Sequence, residues 1–314
     1  MQRQYEWIAE FWRYYDESRI KENEEAIDFN DMIKKPTPLL NNLEPNLLKY
    51  DYIIVDEYQD ISAVRYELLR ATVDRCNAKL MVVGDDWQSI YSFMGGKIRY
   101  IYDFNFFFPN AKKYYITKTY RNSQSLIDCA GEFIMRNKSQ VKKTLISDKN
   151  QINPISIIGC KKEDSVRMLK IIIKSIHQKY PRDSILTLCH NNFTIRQILY
   201  DPELRDSAEN KVAINGVPNF YFDLMTIHKS KGLTYDWIII MPLSNRFPHN
   251  PLSEFWVNDL FRNNPEQEQI EYPEFRRLFY VALTRGRKKV IIICDEQKYR
   301  RSRYINEIEA IIKT

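Results

Sequence analysis

The sequence predicts an α/β protein built on parallel sheets. Short apolar runs alternate with helical stretches along most of the 314 residues, which is the pattern of strands joined by crossover helices. Several of the runs end in charged or polar clusters, where a parallel sheet presents its ligand-binding edge. Two such series follow one another, and the length accommodates about two domains.

The elements follow in chain order. Met1–Lys21 has a helical rhythm, with Trp7, Ile8, Phe11, Trp12 and Tyr15 near one face. So many rings on one face ask for a neighbour, inside this chain or outside it. The first strand is Tyr52–Val55, expected to be buried, and it runs directly into Asp56 and Glu57. Val64–Val73 reads as a helix. The second strand, Lys79–Val83, leads into Gly84-Asp85-Asp86, and a third, Lys113–Thr117, leads into Lys118-Thr119-Tyr120-Arg121 ahead of a helix at Ser123–Met135. A boundary between two α/β units is expected near Asn110–Tyr115, after the aromatic cluster Phe104–Phe108 and Pro109. The second series has strands at Ile155–Ile158, Ile185–Leu188, Leu224–Ile227, Trp237–Met241 and Val290–Cys294, with a helix at Ser165–Gln178 and a basic helix at Tyr299–Ile312.

Five segments carry candidate chemistry. Adjacent acids at a buried strand end are costly unless they hold a metal or react. One carboxylate can bind Mg²⁺ beside a phosphate while the next polarises a water; an Asp-capped turn is the other reading of Asp56-Glu57. In Gly84–Phe93, Gln88 suits a phosphate or a water, and Tyr91 and Phe93 suit base stacking, although a loop with core aromatics has the same composition. Tyr120 and Arg121 offer a stacking ring and a guanidinium for a phosphate, or simply flank a Ser123 helix cap. Thr226, His228, Lys229, Lys231 and Gly232 suit a grip on a nucleic-acid backbone, while a single His is more often structural. Phe275–Arg285 is an amphipathic helix with Phe275, Leu278, Phe279, Ala282 and Leu283 on its apolar face. Arg285 ends it, where a cation complements the helix dipole, and Arg276 and Arg277 are expected on a solvated face.

Composition narrows the classes. The net charge of +6 permits nucleic-acid binding. The five cysteines are isolated, with no CxxC pair, which argues against a zinc site or a disulfide framework and fits a reducing compartment. No apolar run approaches membrane-spanning length. The expectation is a soluble cytoplasmic protein.

Taken in order, GDDWQSIYSF, TYRNS, MTIHKSKG and RRLFYVALTR resemble the UvrD/Rep-type superfamily 1 DNA helicases, most closely the helicase IV type, over about Asp28 to Cys294. The resemblance implies two RecA-like domains of the P-loop NTPase fold with ATP between them. By it, residues 1–28 are a helical remnant of an accessory subdomain, 29–112 the C-terminal part of the first RecA-like domain, and 113–314 the second with a reduced insertion. Asp56 would hold Mg²⁺, Glu57 would activate the attacking water, and Gln88 would sense the γ-phosphate. Tyr120 would stack on adenine, Gly232 would border the nucleotide, and Arg121 and Arg285 would reach the γ-phosphate. Tyr91, Phe93, Thr226 and His228 would line the single-strand track. The implied activity is ATP-dependent 3′–5′ translocation on single-stranded DNA with duplex unwinding.

The sequence departs from that pattern in three places. The family's phosphate loop, G-x-x-x-x-G-K-[ST], is missing: the only Gly-Lys is Gly96-Lys97, followed by Ile98 where a hydroxyl is required. The first RecA-like domain is therefore expected to be incomplete on its N-terminal side, with a separate N-terminal helicase chain as a possible partner. Thr234 stands where the family usually has Glu. Only about a hundred residues separate TYRNS from MTIHKSKG, so the accessory insertion is reduced. The alternative to a helicase is a non-catalytic DNA-binding remnant or split-gene subunit; the helicase portion of a helicase–nuclease is a third, weaker reading.

Overall fold

The computed structural model describes residues 2–22, 27–44, 47–208, 210–244, 247 and 272–313. The chain divides into two compact units: Met1–Gly84 with Phe93–Tyr100, and Asp85–Ser92 with Ile101–Thr314. The boundary expected near Asn110–Tyr115 falls inside the second unit.

In the first unit, strands β1 (Tyr52–Val55) and β2 (Lys79–Val82) pair in parallel, with Tyr52 opposite Lys79 and Val55 opposite Val82. The Ala63–Cys76 helix connects them. Ser62 caps its start by accepting from the Arg65 amide, and Asn77 ends it at φ 50°, in the left-handed region. The strands are half-shielded, not buried as expected. Tyr52, Ile54 and Met81 are exposed on one face, while Ile53, Val55, Leu80 and Val82 turn to the other and are partly covered. The two-residue period of a strand separates these sets cleanly. The long first helix, Gln2–Glu22, leaves Trp7, Phe11, Trp12 and Tyr14 exposed, with the Trp12 ring edge-on to Tyr15.

The second unit is built on a seven-stranded sheet: β3 (Ile155–Cys160), β4 (Ile185–Cys189), β5 (Leu204–Ala208), β6 (Lys211–Ile214), β7 (Tyr221–Thr226), β8 (Tyr235–Ile240) and β9 (Gly286–Asp295). Its order is β3-β9-β8-β4-β7-β6-β5. The first five in that order are parallel, and β6 and β5 close one edge as an antiparallel pair. The central strands are apolar on both faces, as parallel strands between two helical layers must be. Leu186, Leu188, Ile238, Ile240, Val290 and Ile292 enter one core, together with side chains of helices Gln124–Ile134, Pro273–Leu283 and Arg303–Lys313. Ile185, Cys189, Ile239, Ile291 and Ile293 enter the other, with helices Ser165–Lys179 and Asn192–Leu199. Trp87 and Ile90 belong to the first of these cores, which anchors the Asp85–Ser92 segment in this unit.

Lys113–Thr117 is not a strand. The segment pairs only at its end, where Lys118 bridges Ile146, and Tyr114 and Ile116 are exposed; a β-favouring sequence without a neighbouring strand has no ladder to join. The sequence does not predict the β5–β6 pair, because its polar residues mask the alternation. The link from β7 to β8 is also unusual. Residues 227–234 pass from one side of β4 to the other, where parallel crossovers usually take about a dozen residues or more. Among the described residues, no helix is long and apolar enough to cross a membrane.

Candidate nucleotide and nucleic-acid site

In the first unit the acid pair sits where β1 ends. Glu57 adopts φ 52°, a conformation that costs a non-glycine residue energy and often marks a functional turn. Its amide donates to Asp56 Oδ1 at 2.8 Å, and Gln59 Nε2 donates to Glu57 Oε2 at 2.5 Å. Tyr58 is fully buried, and its amide donates to Val83 O at 2.9 Å. Buried Tyr58 and Gln59 thus fasten the turn, and both carboxylates stay exposed above it. Phe93 also belongs to this unit, and it is 68% exposed.

In the second unit, Gln88, Arg121, Arg285, Tyr91 and His228 come together. Gln88 is held at three points. Its Nε2 donates to Asp85 Oδ2 at 2.6 Å, its Oε1 accepts from Arg285 Nη2 at 3.2 Å, and its carbonyl accepts from Lys231 Nζ at 2.9 Å. The next carbonyl, of Ser89, accepts from Arg277 Nε at 2.6 Å. Arg285 is 1% exposed. Its Nε donates to Val281 O at 3.0 Å, so it caps the end of the Pro273–Leu283 helix as the dipole argument anticipates. Asn122, buried beside Arg121, donates to Thr284 O at 3.1 Å and Gly286 O at 2.7 Å, the carbonyls on either side of Arg285. The two arginines are therefore brought to one place. Burial pulls the Arg121 guanidinium below its usual range, and Tyr280 opposes the shift. Burial drives Tyr280 well above the ordinary tyrosine range, Asp85 adds to it and Arg285 opposes it. Tyr120 is largely exposed, with Lys118 Nζ 5.5 Å from its ring centre and Lys149 donating to its carbonyl.

Two of the residues expected along a single strand, Tyr91 and His228, adjoin this cluster. Tyr91 is half-buried, its hydroxyl donates to His228 O at 3.0 Å, and Lys231 Nζ lies 5.1 Å from its ring centre. Burial lowers the His228 imidazole below its usual range, with Glu274 opposing. Glu274 also receives the Ser92 amide at 2.9 Å and the Ser92 hydroxyl. Thr226 Oγ1 accepts from the Lys229 amide at 3.4 Å, and Gly232 takes φ +83°, which suits glycine alone at low cost.

The expectation that Arg276 and Arg277 face solvent is overturned: they are 3% and 4% exposed. Arg276 donates to Glu307 through both terminal nitrogens, at 2.8 and 3.1 Å, and to Phe133 O at 3.0 Å. The helix is enclosed from Arg276 to Leu283, so its charged positions are paired inside the core. Asn122, Arg277 and Glu274 adjoin the candidate site, and residue-type reasoning does not single them out. Lys231 is the one such contact that the cationic cluster Thr226–Gly232 already indicates.

The description "UvrD/REP helicase N-terminal domain" matches residues 1–109, and "UvrD-like helicase C-terminal domain" matches residues 190–297. The chain belongs to the UvrD/Rep helicase family. It is 32% identical over 285 residues to DNA helicase IV of Escherichia coli, covering 87% of this chain and 38% of that one. It is 35% identical over 175 residues to the ATP-dependent DNA helicase Rep of Buchnera aphidicola, covering 54% of this chain and 26% of that one. It is 34% identical over 134 residues to the ATP-dependent DNA helicase UvrD1 of Mycobacterium bovis, covering 39% and 17%. The chain thus spans less than two fifths of the length of these curated relatives. The C-terminal match contains Thr226, His228, Gly232 and Arg285, whereas Tyr120 and Arg121 lie between the two matched spans.

Proposed function

We propose that this chain is part of an ATP-dependent DNA helicase of the UvrD/Rep type, moving 3′ to 5′ on single-stranded DNA and unwinding duplex. The observation that carries the reading is one connected network in the second unit. Gln88 and Arg285, assigned to the γ-phosphate by resemblance, join through Lys231 to Tyr91 and His228, assigned to the DNA strand. A shift at either end therefore has a physical route to the other.

The residue roles follow from chemistry. Asp56 offers an exposed hard-oxygen donor, which fits a magnesium ion that retains most of its waters. When bound, Mg²⁺ neutralises charge on the phosphate oxygens. Glu57, steadied by Gln59, accepts the proton of the attacking water. Arg121 and Arg285 supply positive charge to the transferring phosphoryl group. Tyr120 offers an exposed ring to the adenine, with Gly232 bordering the nucleotide. Phe93 and Tyr91 give aromatic surface to the bases, and Thr226, His228 and Lys229 contact the backbone.

These 314 residues contain no G-x-x-x-x-G-K-[ST], and a second reading is a DNA-binding protein without ATPase activity of its own. Positioning provides most of the catalysis in phosphoryl transfer. The purified chain is therefore expected to hydrolyse ATP at background. Adding the N-terminal portion of a related helicase should restore DNA-stimulated turnover, and Glu57→Gln in that mixture should abolish it. Turnover by the chain alone that survives Glu57→Gln would remove the acid pair from the mechanism.

A further inference from the structure

Lys143 lies outside both spans matched by the family descriptions and outside every motif discussed above. Its ammonium is nearly enclosed, with 15% side-chain exposure. It donates to Asp85 Oδ1 and, at 2.8 Å, to Asp86 Oδ1, and it lies 4.7 Å from the Trp87 ring centre. The backbone beside it is locked to the same segment: the Val141 amide donates to Asp86 Oδ2 at 2.8 Å, and Trp87 Nε1 donates to Val141 O at 3.1 Å. Burial pulls the Lys143 ammonium down, but Asp85 and Asp86 together outweigh it and the net direction is up. Lys143 is thus a held cation.

Asp85 is the next link. Its Oδ1 takes Lys143 and the Trp87 amide (3.1 Å), which leaves Oδ2 to Gln88 Nε2. A carboxylate only accepts, so it selects the NH₂ end of the Gln88 amide. The oxygen end must then face Arg285, as it does at 3.2 Å. A primary amide is nearly symmetric in shape, and its direction is set by such partners alone.

We propose that Lys143 is a positioning residue: by pinning Asp85, it fixes the Gln88 amide with its oxygen toward Arg285. The Gln88 group then presents an acceptor, suited to an arginine or a water proton, not a donor to a phosphate oxygen. The functional weight of this orientation rests on the reading of Gln88 as the residue that answers nucleotide.

The test follows the Gln88 side-chain NH₂ by NMR on the full chain, assigned with Gln88→Ala. The wild-type signal should exchange slowly with solvent. Lys143→Met should accelerate that exchange by roughly tenfold or more, the effect of losing a hydrogen bond held by a charged group, while Lys143→Arg retains slow exchange. If Lys143→Met does not fold, the double variant K143M/D86N removes the buried ammonium together with one buried acid and should show the same acceleration. Unchanged exchange in whichever of these folds overturns the proposal. ATP titrated into the wild type mixed with the N-terminal portion of a related helicase, and read at the Gln88 signal, separates the two claims. An accelerated signal in Lys143→Met, with no nucleotide response at Gln88 in that mixture, supports the positioning role and defeats the sensor reading.

Discussion

At the scale of single residues, His228 and Lys229 illustrate how neighbouring polar groups divide labour. Burial holds the His228 imidazole low, so the folded chain takes up this proton less readily than the unfolded one. By linkage, whatever stability that contributes is present above the ordinary histidine range and lost as pH falls through it. At about pH 8 His228 is therefore neutral and brings no charge to a phosphate. Lys229 Nζ donates to Asn210 Oδ1 at 2.9 Å. We expect Lys229→Met to reduce the salt dependence of single-strand binding by about 0.7 in the logarithmic slope, one phosphate's worth. His228→Asn should leave that slope unchanged at the same pH, as measured by fluorescence anisotropy over a salt series. The sequence marked both positions as candidate backbone contacts, but not their difference in charge, because burial of a ring comes from elements far away in the chain.

At the scale of elements, the Pro273–Leu283 helix shows what patterning conveys and what it omits. Its apolar stripe was legible, as was the cation at its end. The enclosure of its remaining face was not, since two adjacent arginines ordinarily mean solvent. Here Glu307, from the Arg303–Lys313 helix, receives Arg276 from one side and Arg136, at 3.1 Å, from the other. Breaking a buried pair by deleting one partner strands the other charge. Arg276→Ala should destabilise the second unit by roughly 3–5 kcal/mol, read from the urea midpoint. A cost within experimental error of a surface substitution would mean that Glu307 is sufficiently served by Arg136 alone. The strands were easier. The sequence predicts Tyr52–Val55 with its observed bounds, and the other parallel strands within a few residues, because β-branched runs bounded by polar breaks have few alternatives. The β5–β6 pair and the unpaired Lys113–Thr117 segment were misread for one reason: strand identity depends on a partner, and a partner is not a local property.

At the scale of the whole molecule, chain order and compact units do not coincide. The segment Asp85–Ser92 belongs to the second unit, although Phe93–Tyr100, directly after it, belongs to the first. Trp87, 2% exposed, is the reason: its ring fills the second unit's core edge-on to Tyr280, with centroids 5.4 Å apart. A fragment of residues 85–314 should therefore fold with a cooperative thermal transition. One of residues 103–314 should be weaker by at least the roughly 3–5 kcal/mol of losing such a ring from a core. Equal melting temperatures for the two would show that Trp87 is a passenger.

The short link between β7 and β8 has a mechanical meaning. From the level of Thr226 to that of Tyr235 the chain must descend about six strand positions, on the order of 20 Å, and sidestep β4 on the way. Nine Cα steps reach about 30 Å at full stretch, and the turn at His228–Ser230 consumes part of that. The link is a strap with little slack. A pull at His228, the end proposed to meet the DNA strand, cannot be absorbed by the loop. It is passed on to Lys231 and Leu233, whose contacts are Gln88 and Arg285.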